Sequence, residues 1–136
     1  MKHIQRPAVR TVSTLSAVAA TALLAVPLTA ASASADDDDR EVRASRSCAT
    51  GTIKVKAKAD DGRIEVEGEV DTNRKGQSWS WTMRRDGTVA ARGTGVTAGA
   101  SGSFSVERKV ANPAGSDRIV FRAVRGGTTC SVAVTF

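Results

Sequence analysis

The side chains in this sequence that could do chemistry fall into three sets: Cys48 and Cys130; the acids Glu65, Glu67 and Glu69; and the arginines Arg84, Arg92, Arg118 and Arg122. Two cysteines some 80 residues apart, without a C-x-x-C spacing, suit one disulfide better than a redox pair or a metal site. On the chain-entropy view, closing so long a loop stabilises by roughly 4 to 5 kcal/mol. The carboxylates alternate along one strand opposite lysines, which commits them to ion pairs and makes them poor general acids. Arginine presents a planar fork suited to carboxylate or phosphate, so the third set reads as a binding surface for an anionic partner.

Other reactive chemistry lacks its residues. The single histidine, His3, lies in the N-terminal segment that reads as a signal peptide, so the expected mature chain has no imidazole, and there is no tyrosine. Ser-His-Asp and Cys-His nucleophile systems are therefore excluded, as are the common histidine-containing zinc sites. No S-x-x-K or G-x-S-x-G context supports a serine nucleophile, and no phosphate-binding glycine loop leads into a helix. The run Asp36 to Asp39 lacks the spacing of a calcium loop. These observations predict a protein without catalytic residues, cofactor or metal.

Residues 1–35 have the form of a secretory signal peptide: Lys2, Arg6 and Arg10, then an apolar stretch from Leu15 to Leu28, then Ala33-Ser34-Ala35 as a cleavage site. The stretch is about 14 residues and contains Pro27, whereas a membrane span needs about 20. The expected location is extracellular, after cleavage near Ala35. The signal holds three of the 20 lysines and arginines, leaving 17 against 14 acids, a net charge of +3. Residues 36–71 carry seven bases and eleven acids (−4), and residues 72–136 carry ten bases and three acids (+7). The positive charge belongs to the second half of the chain.

The elements that must position these groups follow from a period of two. Residues 36–46 are charged and aperiodic, and read as a disordered acidic leader. From residue 47 to 136 the alternation predicts a single all-β domain. Ile53 to Val70 spells a hairpin about Asp61-Gly62, a favoured type I′ turn. This turn sets Lys58 across from Glu65, Lys56 from Glu67 and Lys54 from Glu69. A second hairpin carries Trp79, Trp81 and Met83 on one face. Read with a three-residue turn at Arg85-Asp86-Gly87, it sets Trp81 against Ala91 and Trp79 against Gly93. A strand from Ser103 to Val110 follows, with Arg108 interrupting the alternation as a bulge or strand exit. A last hairpin about Gly126-Gly127 sets Ala123 against Cys130, Phe121 against Val132 and Ile119 against Val134.

Seven strands, a tryptophan-bearing third strand and a bridge between first and last strands predict an immunoglobulin-like antiparallel sandwich, with a small β-barrel as the alternative. Strands one, two and five would form a sheet whose outer face is a lysine–glutamate lattice. Strands three, four, six and seven would form a second sheet whose outer face carries Arg84, Arg92, Arg118 and Arg122 and no acid. A non-catalytic secreted interaction domain follows, with an anionic envelope polymer or an acidic protein as partner. Nucleic acid fits less well, because no aromatic side chain is interleaved with these arginines. The alternative is a secreted small-molecule carrier or inhibitor with its site in the loops Asp71 to Gly76, Thr94 to Gly102 and Arg125 to Thr128.

Several segments also carry a resemblance: Arg40-Glu41-Val42-Arg43, the Cys48 segment, Lys54 to Val70 with its D-D-G-R-I-E-V-E centre, Asn73 to Trp79 (N-R-K-G-Q-S-W), Gly102-Ser103-Phe104 and Thr129-Cys130 with its alternating tail. In these the chain resembles an uncharacterised family of small secreted β-sandwich proteins of high-GC Gram-positive bacteria. The resemblance implies export and a sandwich fold, and brings no activity, cofactor or site residue. By fold the chain is also similar to small secreted immunoglobulin-like carriers of a hydrophobic metabolite. Those have two disulfides and an acidic character, so their ligand is not carried over.

Overall fold

The computed structural model describes residues 39–49 and 51–136. The signal-peptide reading of residues 1–35 and the start of the acidic leader lie outside the described residues. Eight strands run β1 (Glu41–Cys48), β2 (Gly51–Asp60), β3 (Arg63–Asp71), β4 (Ser78–Arg85), β5 (Thr88–Val96), β6 (Ser103–Ala111), β7 (Arg118–Arg125) and β8 (Thr128–Thr135). They form two four-stranded antiparallel sheets, β1-β2-β3-β6 and β5-β4-β7-β8. The chain crosses between sheets from β3 to β4, returns from β5 to β6, and crosses again from β6 to β7, an immunoglobulin-like sandwich.

Alternation builds the core. In β2 and β3, Ile53, Val55, Ala57, Ile64, Val66 and Val70 point inward and are buried. In the second sheet Trp79, Trp81, Met83, Ile119, Phe121 and Val132 do the same. Large residues from one sheet meet missing side chains on the other. The Phe121 ring occupies the space over Gly68, where a Cβ would come within 2.6 Å of it, and Phe104 lies over Gly95.

The β2–β3 and β7–β8 registers are those the turns predict, Lys56 opposite Glu67 and Phe121 opposite Val132 among them. Asp61 and Gly62 both take positive φ, as a type I′ turn requires.

Three expectations need correction. The disordered leader proposed for residues 36–46 gives way at Glu41 to β1, the eighth strand. Its Val42 and Ala44 pack against the core while Arg43 and Ser45 face out, so the period of two is present but its apolar half is small. The second hairpin turns through two residues, Asp86 and Gly87, both with positive φ, and takes up an extra residue where the register shifts beyond Met83 and Arg84. Trp81 therefore faces Gly93, Met83 faces Ala91 and Trp79 faces Gly95. Arg108 marks neither a bulge nor an exit. The β3–β6 register runs unbroken from Arg63↔Ala111 to Asp71↔Ser103, and Arg108 keeps its inward parity by laying its guanidinium over the Trp81 ring, 5.2 Å from the centroid.

Cys48 at the end of β1 is bonded to Cys130 in β8, with Cα atoms 5.5 Å apart and a separation of 82 positions in sequence. The disulfide closes one side of the sandwich, where the edge strand of each sheet meets the other. No helix among the described residues is long and apolar enough to cross a membrane.

Candidate functional site

The outer face of the second sheet gathers the four arginines predicted from the sequence. Inward parity belongs to the odd residues of β4 and β7, so Arg84, Arg118 and Arg122 face out and are exposed. Arg92 joins them because it pairs with Thr82, which in turn pairs with Arg122. One cross-strand row thus reads Arg92–Thr82–Arg122–Ser131, with its two guanidinium stems about 10 Å apart at the backbone. The next row is Val89–Arg84–Val120–Ala133, and Arg118 lies beside Thr135.

The four are not equivalent. Arg84 donates from Nη1 to the carbonyl of Gly87 at 2.9 Å, which holds it over its own turn. At the rim beside Arg118, the Asp86 carboxylate accepts the Arg118 backbone N–H at 2.8 Å. Among the described residues Arg92 and Arg122 make no side-chain hydrogen bond or ion pair, and they form the centre of the face. Sequence reasoning placed Arg92 opposite Ser80, so this central row was not visible; the two-residue Asp86-Gly87 turn alone would set Arg92 against Trp81, and the extra residue at Ala90 brings it to Thr82.

The other sheet is electrostatically closed. Its outer face carries Arg43, Lys54, Lys56, Lys58, Arg63 and Lys109 among Glu41, Asp60, Glu65, Glu67, Glu69, Asp71 and Glu107. Lys54 bonds Glu69 at 2.8 Å, Lys56 pairs with Glu67, Arg43 with Glu41, and Lys109 with Asp60. The hydrogen bond that Lys54 donates to Glu69, then the Glu69 charge, raises the pKa of Lys54 above the ordinary 10.5. Glu67 and Asp60 do the same for Lys56 and Lys109, again chiefly by hydrogen bonding. A depression of about 420 Å³ opens on this face, lined by Arg43 and by the Lys54–Glu69 and Lys56–Glu67 pairs.

Two of the three loops of the alternative reading, Asp71–Gly76 and Thr94–Gly102, are tied to each other. Thr72 and Thr97 are buried between them. Thr72 donates its backbone N–H to Gly102, Gly76 donates to Thr97, and the Thr97 hydroxyl donates to Arg74. Backbone at Asn73 and Arg74 fills the space where a Gly102 side chain would sit. These contacts occupy the gap between Asp71–Gly76 and Thr94–Gly102 with protein.

Two further polar groups are built into the scaffold. Asp117, 1% exposed, accepts from Arg85 Nη1 at 2.7 Å and exchanges two backbone hydrogen bonds of 2.9 Å with Phe136. This ion pair anchors the end of β4 and the entry to β7, and with them the strands that carry Arg84 and Arg118. The buried indole N–H groups of Trp79 and Trp81 have no hydrogen-bond partner among the described residues. No protein-family model, no curated protein and no solved structure matches the chain.

Proposed function

We propose that this chain is a non-catalytic secreted interaction domain that holds an anionic partner, an envelope polymer or an acidic protein, on the arginine-bearing outer face of its second sheet. The observation that carries the reading is the row Arg92–Thr82–Arg122, flanked by Arg84 and Arg118 on a face whose only nearby described acid is Asp86 at the rim. Like charges spread over one rigid sheet act on an anion collectively, and guanidinium groups without internal partners are free to meet it. The first sheet supports the reading by contrast, since Lys54, Lys56 and Lys109 are committed to acids of the same sheet. Export through the leader, and kinship with the small secreted family that the sequence resembles, are part of the same proposal. The disulfide and the lack of a long apolar helix among the described residues are compatible with it.

The test is capture of the protein on anionic envelope fractions and on the secretome of its producer, at low and high salt. Substituting Arg84, Arg92, Arg118 and Arg122 by Ser removes a salt-sensitive interaction, while substituting Lys54, Lys56 and Lys58 leaves it intact. Equal losses in both sets overturn the reading.

A further inference from the structure

The same sheet has an edge left open as far as Val96, beyond which Ala98 pairs with Ser103 of β6. β5 is its outermost strand. Edge strands are usually blunted by charges, proline, bulges or a covering element. The other three edges of the sandwich are: β1 carries Glu41, Arg43 and Arg46, β6 carries Glu107, Arg108 and Lys109 in succession, and β8 is stapled to β1 by the disulfide. Beyond its bulge near the turn, β5 runs Ala91-Arg92-Gly93-Thr94-Gly95-Val96 with one charge and two residues lacking a side chain. Val96 is 54% exposed and Val89 41%, and both lie on this strand.

The hydrogen-bond phase says which backbone groups are free. The Asp86 N–H donates to the Arg118 carbonyl, so even positions of β4 serve β7 and odd positions serve β5. The Thr97 N–H donating to the Gln77 carbonyl agrees. Ala91, Gly93 and Gly95 thus bond to β4, whereas Arg92, Thr94 and Val96 direct both N–H and C=O away from the sheet. Just inside this edge, Phe104 and Val106 of β6 are only partly buried against the core.

We infer that the β5 edge is a strand-addition site, which takes an extended segment of a partner protein whose acidic side chains alternate with apolar ones. An antiparallel segment paired to Arg92, Thr94 and Val96 continues the sheet. Residues directly opposite share a face, so one set of its side chains lands beside Arg92 at the end of the arginine row, where an acid is favoured. The alternate set points inward and covers the open flank of Phe104 and Val106. A second copy of this chain is the poorer occupant, because it would set one arginine face beside another. The acidic half of this inference rests on the function proposed above; the pairing half rests on β5 alone.

The test uses the oxidised chain and an eight-residue peptide alternating Val and Glu. Binding is followed by calorimetry and by amide shifts of Arg92, Thr94 and Val96, with polyglutamate as a charge-only probe. Thr94→Pro removes one outward N–H without touching the ladder to β4, and weakens the peptide about ten-fold or more while polyglutamate binding is retained. As a check that needs no variant, N-methylation of the Glu residues, whose N–H groups face β5, abolishes peptide binding, and N-methylation of the Val residues spares it. Equal effects of the two methylated peptides, or full peptide affinity in folded Thr94→Pro, overturn the strand-addition site and leave the arginine face standing. Polyglutamate binding that survives Arg84, Arg92, Arg118 and Arg122→Ser removes the arginine reading, and peptide binding that is still lost in Thr94→Pro then keeps the edge. Self-association of the free chain that Thr94→Pro abolishes assigns the edge to a second copy and overturns the partner proposed.

Discussion

Gly93 lies directly across the ladder from Trp81, and a Cβ at that position would come 2.8 Å from the indole Cζ2. The ring of a buried tryptophan cannot give way in a close-packed core, so the small residue is the complement of the large one. Gly93→Ala is expected to destabilise by about 1–3 kcal/mol through overpacking. Gly127→Ala is the control, since a Cβ there meets nothing within 4 Å and is expected to be neutral or slightly stabilising. Urea denaturation of both variants decides it, and a Gly93→Ala midpoint no lower than that of Gly127→Ala would refute the packing account.

The Arg85–Asp117 pair gives an asymmetric prediction. The Asp117 side chain is 2% exposed and that of Arg85 28%. Arg85→Met strands a buried carboxylate and is expected to cost about 3–5 kcal/mol. Asp117→Asn leaves a guanidinium that can turn to water or to Asp86, 3.5 Å away, and is expected to cost about 1–3 kcal/mol. The two midpoints measured at one pH test the order; a larger loss for Asp117→Asn would contradict it.

Reduction of Cys48–Cys130 is expected to cost roughly 2–5 kcal/mol and to add about 2 Da to the mass. The effect should be uneven. β1 is an edge strand, paired along its length to β2 alone and tied to β8 through the disulfide. Hydrogen exchange after reduction should therefore quicken first in Glu41–Cys48, with β4 and β7 protected. Uniform loss of protection would show that the bridge serves the whole fold and not that seam.

The division into two sheets, two of the three hairpin registers and the disulfide were legible in the sequence, because each rests on a local rule. Asp61-Gly62 sets one ladder, Gly126-Gly127 another, and alternation assigns Arg84, Arg118 and Arg122 to one face. What escaped depends on neighbours. The extra residue between Val89 and Ala91 carries no sequence mark, so the Trp81 partner was misread by two positions. β1 was hidden because Val42 and Ala44 bury little apolar surface, and the strand is held by pairing to β2 and by Cys48. Arg108 looked like a break in the pattern because its inward position is satisfied by the Trp81 ring, a partner on the other sheet. Arg85 and Asp117 lie 32 residues apart at opposite ends of the pattern, and only the packing of β4 on β7 joins them.

The two faces should respond differently to pH. Lys54 and Lys56 have pKa values raised above 10.5 by their glutamate partners. A raised folded value means the folded state holds the proton more tightly than the unfolded chain. The stabilisation is therefore fully present below about pH 10.5 and is lost as pH rises through the higher folded value. Both lysines are largely solvated, so each pair contributes only about 0–1 kcal/mol, and the expected loss between pH 9 and 12 is a small fall in the urea midpoint. Lys54→Gln with Lys56→Gln should flatten that fall. Arginine stays charged beyond about pH 12, so polyanion binding on the second sheet should persist across the range in which the lysine lattice discharges. Binding that fades in parallel with lysine titration, in a chain still folded by circular dichroism, would move the anion site to the first sheet.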